Sequence, residues 1–167
     1  MQTFVLQYTP SIVVSATIVA RTLSFASVPA NVVFPAVMLN GVNQTTTTTE
    51  TLDIGDNSGS GAGWNVMLSN TPFTSGANSL QNTDFTVPAS PTVACDIGVT
   101  CTLASWSSAG LYPYTLPGTT ASKLIYAAPG SGLANQTFTF TWRGSLPANS
   151  LSGTYLSTWT IILAAGP

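Results

Sequence analysis

With three basic and five acidic side chains, no histidine and a net charge of −2 over 167 residues, the chain has the length of one domain and is poorly equipped for several kinds of chemistry. A grip on nucleic acid needs clustered Lys and Arg, and a Ser–His or Cys–His nucleophile pair needs an imidazole; the composition speaks against both. Charged residues make up 5% of the chain, against about 25% in an ordinary soluble domain. The polar surface must therefore be Thr, Ser, Asn and Gln, which suits extracellular structural proteins and close packing of subunits with little mutual repulsion.

Residues 2–20, QTFVLQYTPSIVVSATIVA, read as an apolar β-type arm in which Phe4, Leu6 and Tyr8 alternate with Val5, Gln7 and Thr9. Pro10 confines this part to a sheet edge or a break, and Ile12, Val14 and Ile18 continue the apolar pattern beyond it. The arm is too apolar to stay a solvated tail, so it is expected to pair with its own sheet or with that of another copy. Fully extended, residues 2–20 span about 60 Å, whereas a domain of this size, with a radius of gyration near ~15 Å, is about 40 Å across. The arm can thus lie along a whole neighbouring molecule. Arg21 follows the apolar stretch instead of leading it, so a secretion signal is expected to have been removed or to lie outside this sequence. No run of about 18 apolar residues occurs, and no transmembrane helix is predicted. We divide the chain into an arm, residues 1–21, and a domain, residues 22–167.

Strands are predicted over Thr22–Ser27 and Val32–Leu39, the second marked by Pro35 as an edge or a bulge. Asn40-Gly41 is a type I′ hairpin signal, and the return strand runs from Val42 to Asp53 through five consecutive threonines, whose β-branched side chains favour the strand. A Gly/Ser/Asn loop, Asp56 to Gly63, then feeds a strand that places Trp64, Val66 and Leu68 on one face, with Asn65 and Met67 on the other. Residues 70–120 hold five prolines and short candidate strands at Asp84–Val87, Thr92–Ala94 and Thr100–Trp106. We expect a loop-rich surface insertion there. Within it Cys95 and Cys101 enclose five residues, and a bridge would contribute roughly 2 kcal/mol and imply an oxidising, extracytoplasmic compartment. A metal pair lacks the further ligands that zinc needs. Strands resume at Ala121–Ala127 and at Gln136–Trp142, where Phe138, Phe140 and Trp142 alternate with threonines. A turn over Ser145–Ser152 precedes a last strand with Tyr155, Ser157, Trp159, Ile161 and Leu163 on one face. The fold class that results is all-β: an antiparallel β-sandwich of Ig-like or Greek-key type, with an N-terminal strand arm and a loop-rich middle.

Two stretches together resemble the WxL family of bacterial cell-surface domains. They are the loop Asp56-Asn-Ser-Gly-Ser-Gly-Ala-Gly63 with Trp64-Asn-Val66, Leu68 and Thr71-Pro-Phe-Thr74, and a tail of Leu146-Pro-Ala, Gly153-Thr-Tyr155, Thr158 and Leu163. The resemblance covers roughly residues 22–167. The first motif here reads Trp-x-Val, and in the second Ile161 stands where the family has Trp, with Trp159 two residues earlier; a shift of two keeps the strand face. The resemblance implies a β-sandwich and non-covalent attachment to the peptidoglycan of Gram-positive cells.

Residues with chemical potential are few. Lys123 is the only lysine available to a Ser–Lys dyad, and its flanks Ser122 and Leu124 look like an ordinary strand. A glycosidase needs two acids about 5 to 9.5 Å apart, and none of the five acids has such a context. We therefore expect no enzyme and no cofactor. Asp53-Ile-Gly-Asp-Asn-Ser-Gly59, with Glu50 nearby, has oxygen ligands that suit Ca²⁺, but their spacing and number fall short of an EF-hand; hydrogen bonds from Asp56 and Asn57 to the turn backbone are the better reading, and no metal is assigned. Asn43 and Asn135 each open an N-glycosylation pattern. Two functions follow. One is an extracellular, cell-surface building block whose arm adds a strand to the next copy, giving a homo-oligomer or filament. The other is a monomeric module that binds peptidoglycan or another cell-surface polymer, with Trp64 and Trp159 either stacking on ligand or filling the core. Neither involves nucleic acid or a membrane span.

Overall fold

The computed structural model describes residues 15–167; of the arm residues singled out above, Phe4, Leu6, Tyr8, Ile12 and Val14 lie outside them. The described chain forms strands β1 (Leu23–Ser27), β2 (Gln44–Asp56), β3 (Trp64–Asn70), β4 (Phe73–Ser75), β5 (Asn78–Leu80), β6 (Phe85–Val87), β7 (Thr92–Cys95), β8 (Tyr114–Thr115), β9 (Ser122–Ala127), β10 (Ala134–Leu146) and β11 (Trp159–Ala165). No described helix is long and apolar enough to cross a membrane.

The larger sheet has the order β1-β2-β10-β6-β8, with β7 pairing β10 beside β6, and the smaller has β11-β3-β9. Every pairing is antiparallel. The sheets pack as a sandwich because both obey the period of two. On β10 Phe138, Phe140 and Trp142 point inward, on β2 Leu52 and Ile54 do, and on β3 Trp64, Val66 and Leu68 do; all are buried. The β2–β10 ladder runs without a break from Gln44↔Leu146 to Asp56↔Ala134. Trp64 crosses between the layers: its ring meets Phe138 edge-on at 5.5 Å, and its Nε1 donates to the Gly132 carbonyl at 3.0 Å.

The middle of the chain is loop-rich, as expected, but it is no surface addition. Phe73, Phe85, Val87, Ala104, Tyr114 and Leu116 from residues 70–120 are all buried in the core. The strand expected over Thr100–Trp106 reduces to one bridge, Thr102↔Leu133. The buried amide of Gln136 replaces the ladder there, accepting from Ala104 N–H at 2.7 Å and donating to the carbonyls of Thr102 and Leu133. Cys95 and Cys101 are joined by a disulfide.

Two further expectations are corrected. Val32–Leu39 is not a strand: Pro29 and Pro35 offer no N–H to a ladder, and Val32 and Phe34 turn into the gap between the sheets. Asn40-Gly41 is not a type I′ turn, since Gly41 has φ +83° whereas Ala134 is the sole non-glycine at positive φ among the described residues. Asn40 instead accepts from Val42 N–H through its side chain, and no paired strand precedes it.

Gly132 shows how closely the core is fitted. It sits at φ +71°, and a Cβ there would lie 2.5 Å from Ala127 Cβ and 2.6 Å from Trp64 Nε1. Gly132→Ala is therefore expected to lower the free energy of unfolding by about 2–5 kcal/mol, combining a left-handed backbone cost with overpacking. Gly130 has φ +77° but open space around it, so Gly130→Ala should lose only about 1–2 kcal/mol. Urea denaturation compares the two, and equal losses would show that the Trp64 contact is not what demands glycine.

Candidate functional site

The two flanks of the sandwich are closed unequally. Beside β9, the segment 104–118 seals the gap: Tyr112 Oη donates to the Leu124 carbonyl at 2.6 Å, Tyr114 Oη shares a hydrogen bond with Ser122 Oγ at 2.9 Å, and Ala128 N–H reaches the Ser105 carbonyl at 2.8 Å. Burial pushes the Tyr112 phenol above its ordinary range, as befits a hydroxyl committed to a bond inside the flank.

On the opposite flank both edges are bare among the described residues. β1 pairs only with Asp53–Asp56 of the thirteen-residue β2, so among the described residues the outer edge of 44–52 has no backbone partner. β11 pairs with β3 alone, and no backbone hydrogen bond joins β1 to β11 among the described residues. Residues 28–39 cross this opening without joining a ladder. Four contacts hold them: Val32 and Phe34 against the core, Thr46 Oγ1 donating to the Pro35 carbonyl at 3.0 Å, and Gln44 Nε2 donating to the Met38 carbonyl at 2.8 Å.

An apolar groove of about 680 Å³ lies between residues 32–39 and the loop 150–156, floored by Phe73, Leu80 and Phe85. A narrow crevice of about 30 Å³ continues from it at Val32, past Trp159 and Ile161, and is also lined by Glu50. Large apolar side chains gather around this flank. Of the twelve that stand exposed among the described residues, ten lie in 18–42, in 151–156 or on β11; the others are Ile97 and Leu103. Val33, Met38, Leu39, Leu151 and Leu156 line the groove together, and an exposed apolar patch of this kind marks an interaction site.

The two motif stretches are brought together as neighbours, Leu163 opposite Val66 and Ile161 opposite Leu68. Trp64, Val66 and Leu68 are wholly buried, out of reach of any ligand. Trp159 and Leu163 are half-buried against the core; Trp159 packs on Trp142 at 4.6 Å and faces the crevice. Tyr155 lies before β11 and donates to the Leu151 carbonyl, while the backbone N–H of exposed Thr158 reaches Thr71 Oγ1. Ile18 is 95% exposed. Asn43 is exposed and accepts from Ala148 N–H; Asn135 is half-buried and accepts from Asn57. Sequence reasoning missed the groove walls, residues 33–39 and 151–156. The signal available was VVFPAVML, an apolar run without alternation and with a proline inside it.

The acids of the candidate calcium loop form no cluster of three or more among the described residues. Asp56 caps its own loop, accepting from the N–H and Oγ of Ser58, and Glu50 and Asp53 occupy opposite faces of β2. Asp53 lies beside Asp96, which accepts from Thr137 Oγ1 at 2.8 Å. Burial first, then the Asp96 carboxylate, raise the Asp53 carboxyl above its ordinary 3.8. The folded chain thus retains a proton at pH values where the unfolded chain has lost it, so this contribution to stability is present below about 3.8 and fades as pH rises through the folded value. Asp96→Asn keeps the acceptor for Thr137 and removes the repulsion. It should raise the Tm at pH 7, with the difference from the native chain shrinking toward pH 3.5 in a calorimetric series. A constant difference would disprove the coupling.

Compared with family models, with curated proteins and with solved structures, the chain matches none.

Proposed function

We propose that the protein is a non-enzymatic, extracellular structural subunit, and that copies join into a surface fibre or layer by adding the N-terminal arm, residues 2–20, as a strand to a neighbouring sandwich. The open flank carries this reading: two strand edges, unpaired among the described residues, border a narrow crevice that meets an apolar groove at Val32, in a molecule whose other flank is sealed. Strand addition draws on main-chain hydrogen bonds and on pockets for alternate side chains, and the arm offers that alternation at Phe4, Leu6 and Tyr8. A 5% charge content leaves little repulsion between copies. The Cys95–Cys101 bridge accords with an oxidising, extracytoplasmic setting.

A WxL-type module attached to peptidoglycan is the second reading, favoured by the side-by-side placement of the two motif stretches on β3 and β11. It needs aromatic side chains that a polymer can reach, and Trp64 is 0% exposed, so we rank it below strand addition.

Removing residues 2–20 separates the two. Under strand addition, the full chain forms concentration-dependent assemblies in size-exclusion chromatography and negative-stain images, whereas the shortened chain is monomeric and less stable. A peptide of residues 2–20 then restores stability, by about 2.7 kcal/mol at a hundred times its dissociation constant. A shortened chain that is fully stable, indifferent to the peptide and still retained on cell walls would establish the module instead.

A further inference from the structure

The direction of each strand and the entry point of the described chain set the courses open to the arm along this flank. Arg21 N–H bonds the Asn57 carbonyl at 2.8 Å and Leu23 stands opposite Asp56, so the chain enters its own domain at the glycine-loop end. The groove lies at the other end, between residues 32–39 and 150–156. Residues 15–20 are all exposed. Ile18 and Val19, at 95% and 83%, find no cover on their own sandwich. β11 runs from the groove end at Trp159 to the glycine-loop end at Ala165, where Gly166 N–H bonds the Gly63 carbonyl.

An arm folding back along its own flank would therefore run parallel to β11. An arm from a second copy, entering with its Arg21 at the groove end, runs antiparallel, as every sheet pairing among the described residues does and as is the more stable mode.

We infer, building on the strand-addition reading, that the arm of a second copy of this chain pairs antiparallel with the free edge of β11, Phe4 opposite Leu163, Leu6 opposite Ile161 and Tyr8 opposite Trp159, and that Ile12 and Val14 continue into the apolar groove. This register points Phe4, Leu6 and Tyr8 inward with Trp159, Ile161 and Leu163, since directly opposed residues share a face. Pro10, which has no N–H to donate, then falls just past the end of the seven-residue β11 ladder. Tyr8 brings a hydroxyl to the crevice that Glu50 lines. Residues 15–20 span about 20 Å from the groove to the glycine-loop end of the donor. Copies stack end to end through a contact that does not close on itself, which yields a filament.

The test uses two populations of the full chain, one carrying Leu6→Cys and the other Ile161→Cys, mixed and oxidised, with linked peptides read by mass spectrometry. The expected result is a reducible dimer linked between positions 6 and 161, and little linkage when Ile162→Cys replaces Ile161→Cys. A chain carrying both substitutions that links within itself as a monomer overturns the claim that the arm comes from a second copy. Assemblies without the 6–161 link overturn the assigned edge while leaving self-assembly standing; no assembly and no link overturn both. An exposed position guards against misfolding. Leu156, 70% exposed in the groove wall, and Ile97, fully exposed in the disulfide loop, each tolerate a charge in the monomer. Leu156→Glu should weaken association at least about tenfold, since the docked arm would desolvate the carboxylate, and Ile97→Glu should leave it unchanged. Equal effects of the two count against the groove.

Discussion

The unbroken pairing of β2 with β10 is what the remainder of the molecule hangs on. Thirteen residues are held opposite thirteen, Gln44↔Leu146 to Asp56↔Ala134, and the period of two then delivers Leu52, Ile54, Phe138, Phe140 and Trp142 to a single face. That face is longer than the strands available to border it. On the β10 side β6 and β7 divide the length between them; on the β2 side β1 serves only the last four residues. The half-covered edge follows from the ladder's own length, and the groove follows from the edge.

Bare sheet edges invite further pairing, and natural sheets defend them with lysines, prolines, bulges or inward charges. β11, WTIILAA, has none of these. Across the opening, the defences are Pro29 and Pro35 in the crossing segment and Glu50 on the inner face of β2. The sealed flank shows that the chain can close an edge where closure is required, by spending Tyr112, Tyr114 and Ser105 on it. Leaving β11 undefended while β9 is sealed is thus a difference between two edges of one three-stranded sheet, not a general shortage of covering chain.

How much of this was legible follows from what each pattern reports. Strict alternation at Phe138, Phe140 and Trp142, and at Trp64, Val66 and Leu68, fixes a face, and those residues are buried as expected. The glycine loop before Trp64 and the Cys95–Cys101 pair were likewise readable, because short-range chemistry decides them. Val32–Leu39 misled because apolar content resembles a strand when the missing proline donors and the gap between the sheets are out of view. Thr100–Trp106 misled because the side chain of Gln136, thirty residues on, satisfies the backbone that a ladder would have used. The groove was illegible for the same reason: its walls, residues 33–39 and 151–156, are far apart in sequence, and only the register of β2 against β10 brings them together.

Glu50 is the one acidic side chain that lines the crevice. It lies opposite Phe140 in the ladder, on the inward face, and lines the crevice between Leu52, Trp142 and Trp159. Among the described residues it makes no side-chain hydrogen bond and no ion pair. Burying an unpaired carboxylate is far costlier than the apolar contact that closure would gain, so residues 28–39 and β11 cannot draw together over it without supplying a donor. One carboxylate thus stands in the opening, in a chain that has few charges. Its apolar surroundings make the opening attractive to a strand, while the carboxylate sets a condition on it: whatever covers Trp159 and Ile161 must either leave Glu50 in water or bring a hydroxyl or a cation to meet it.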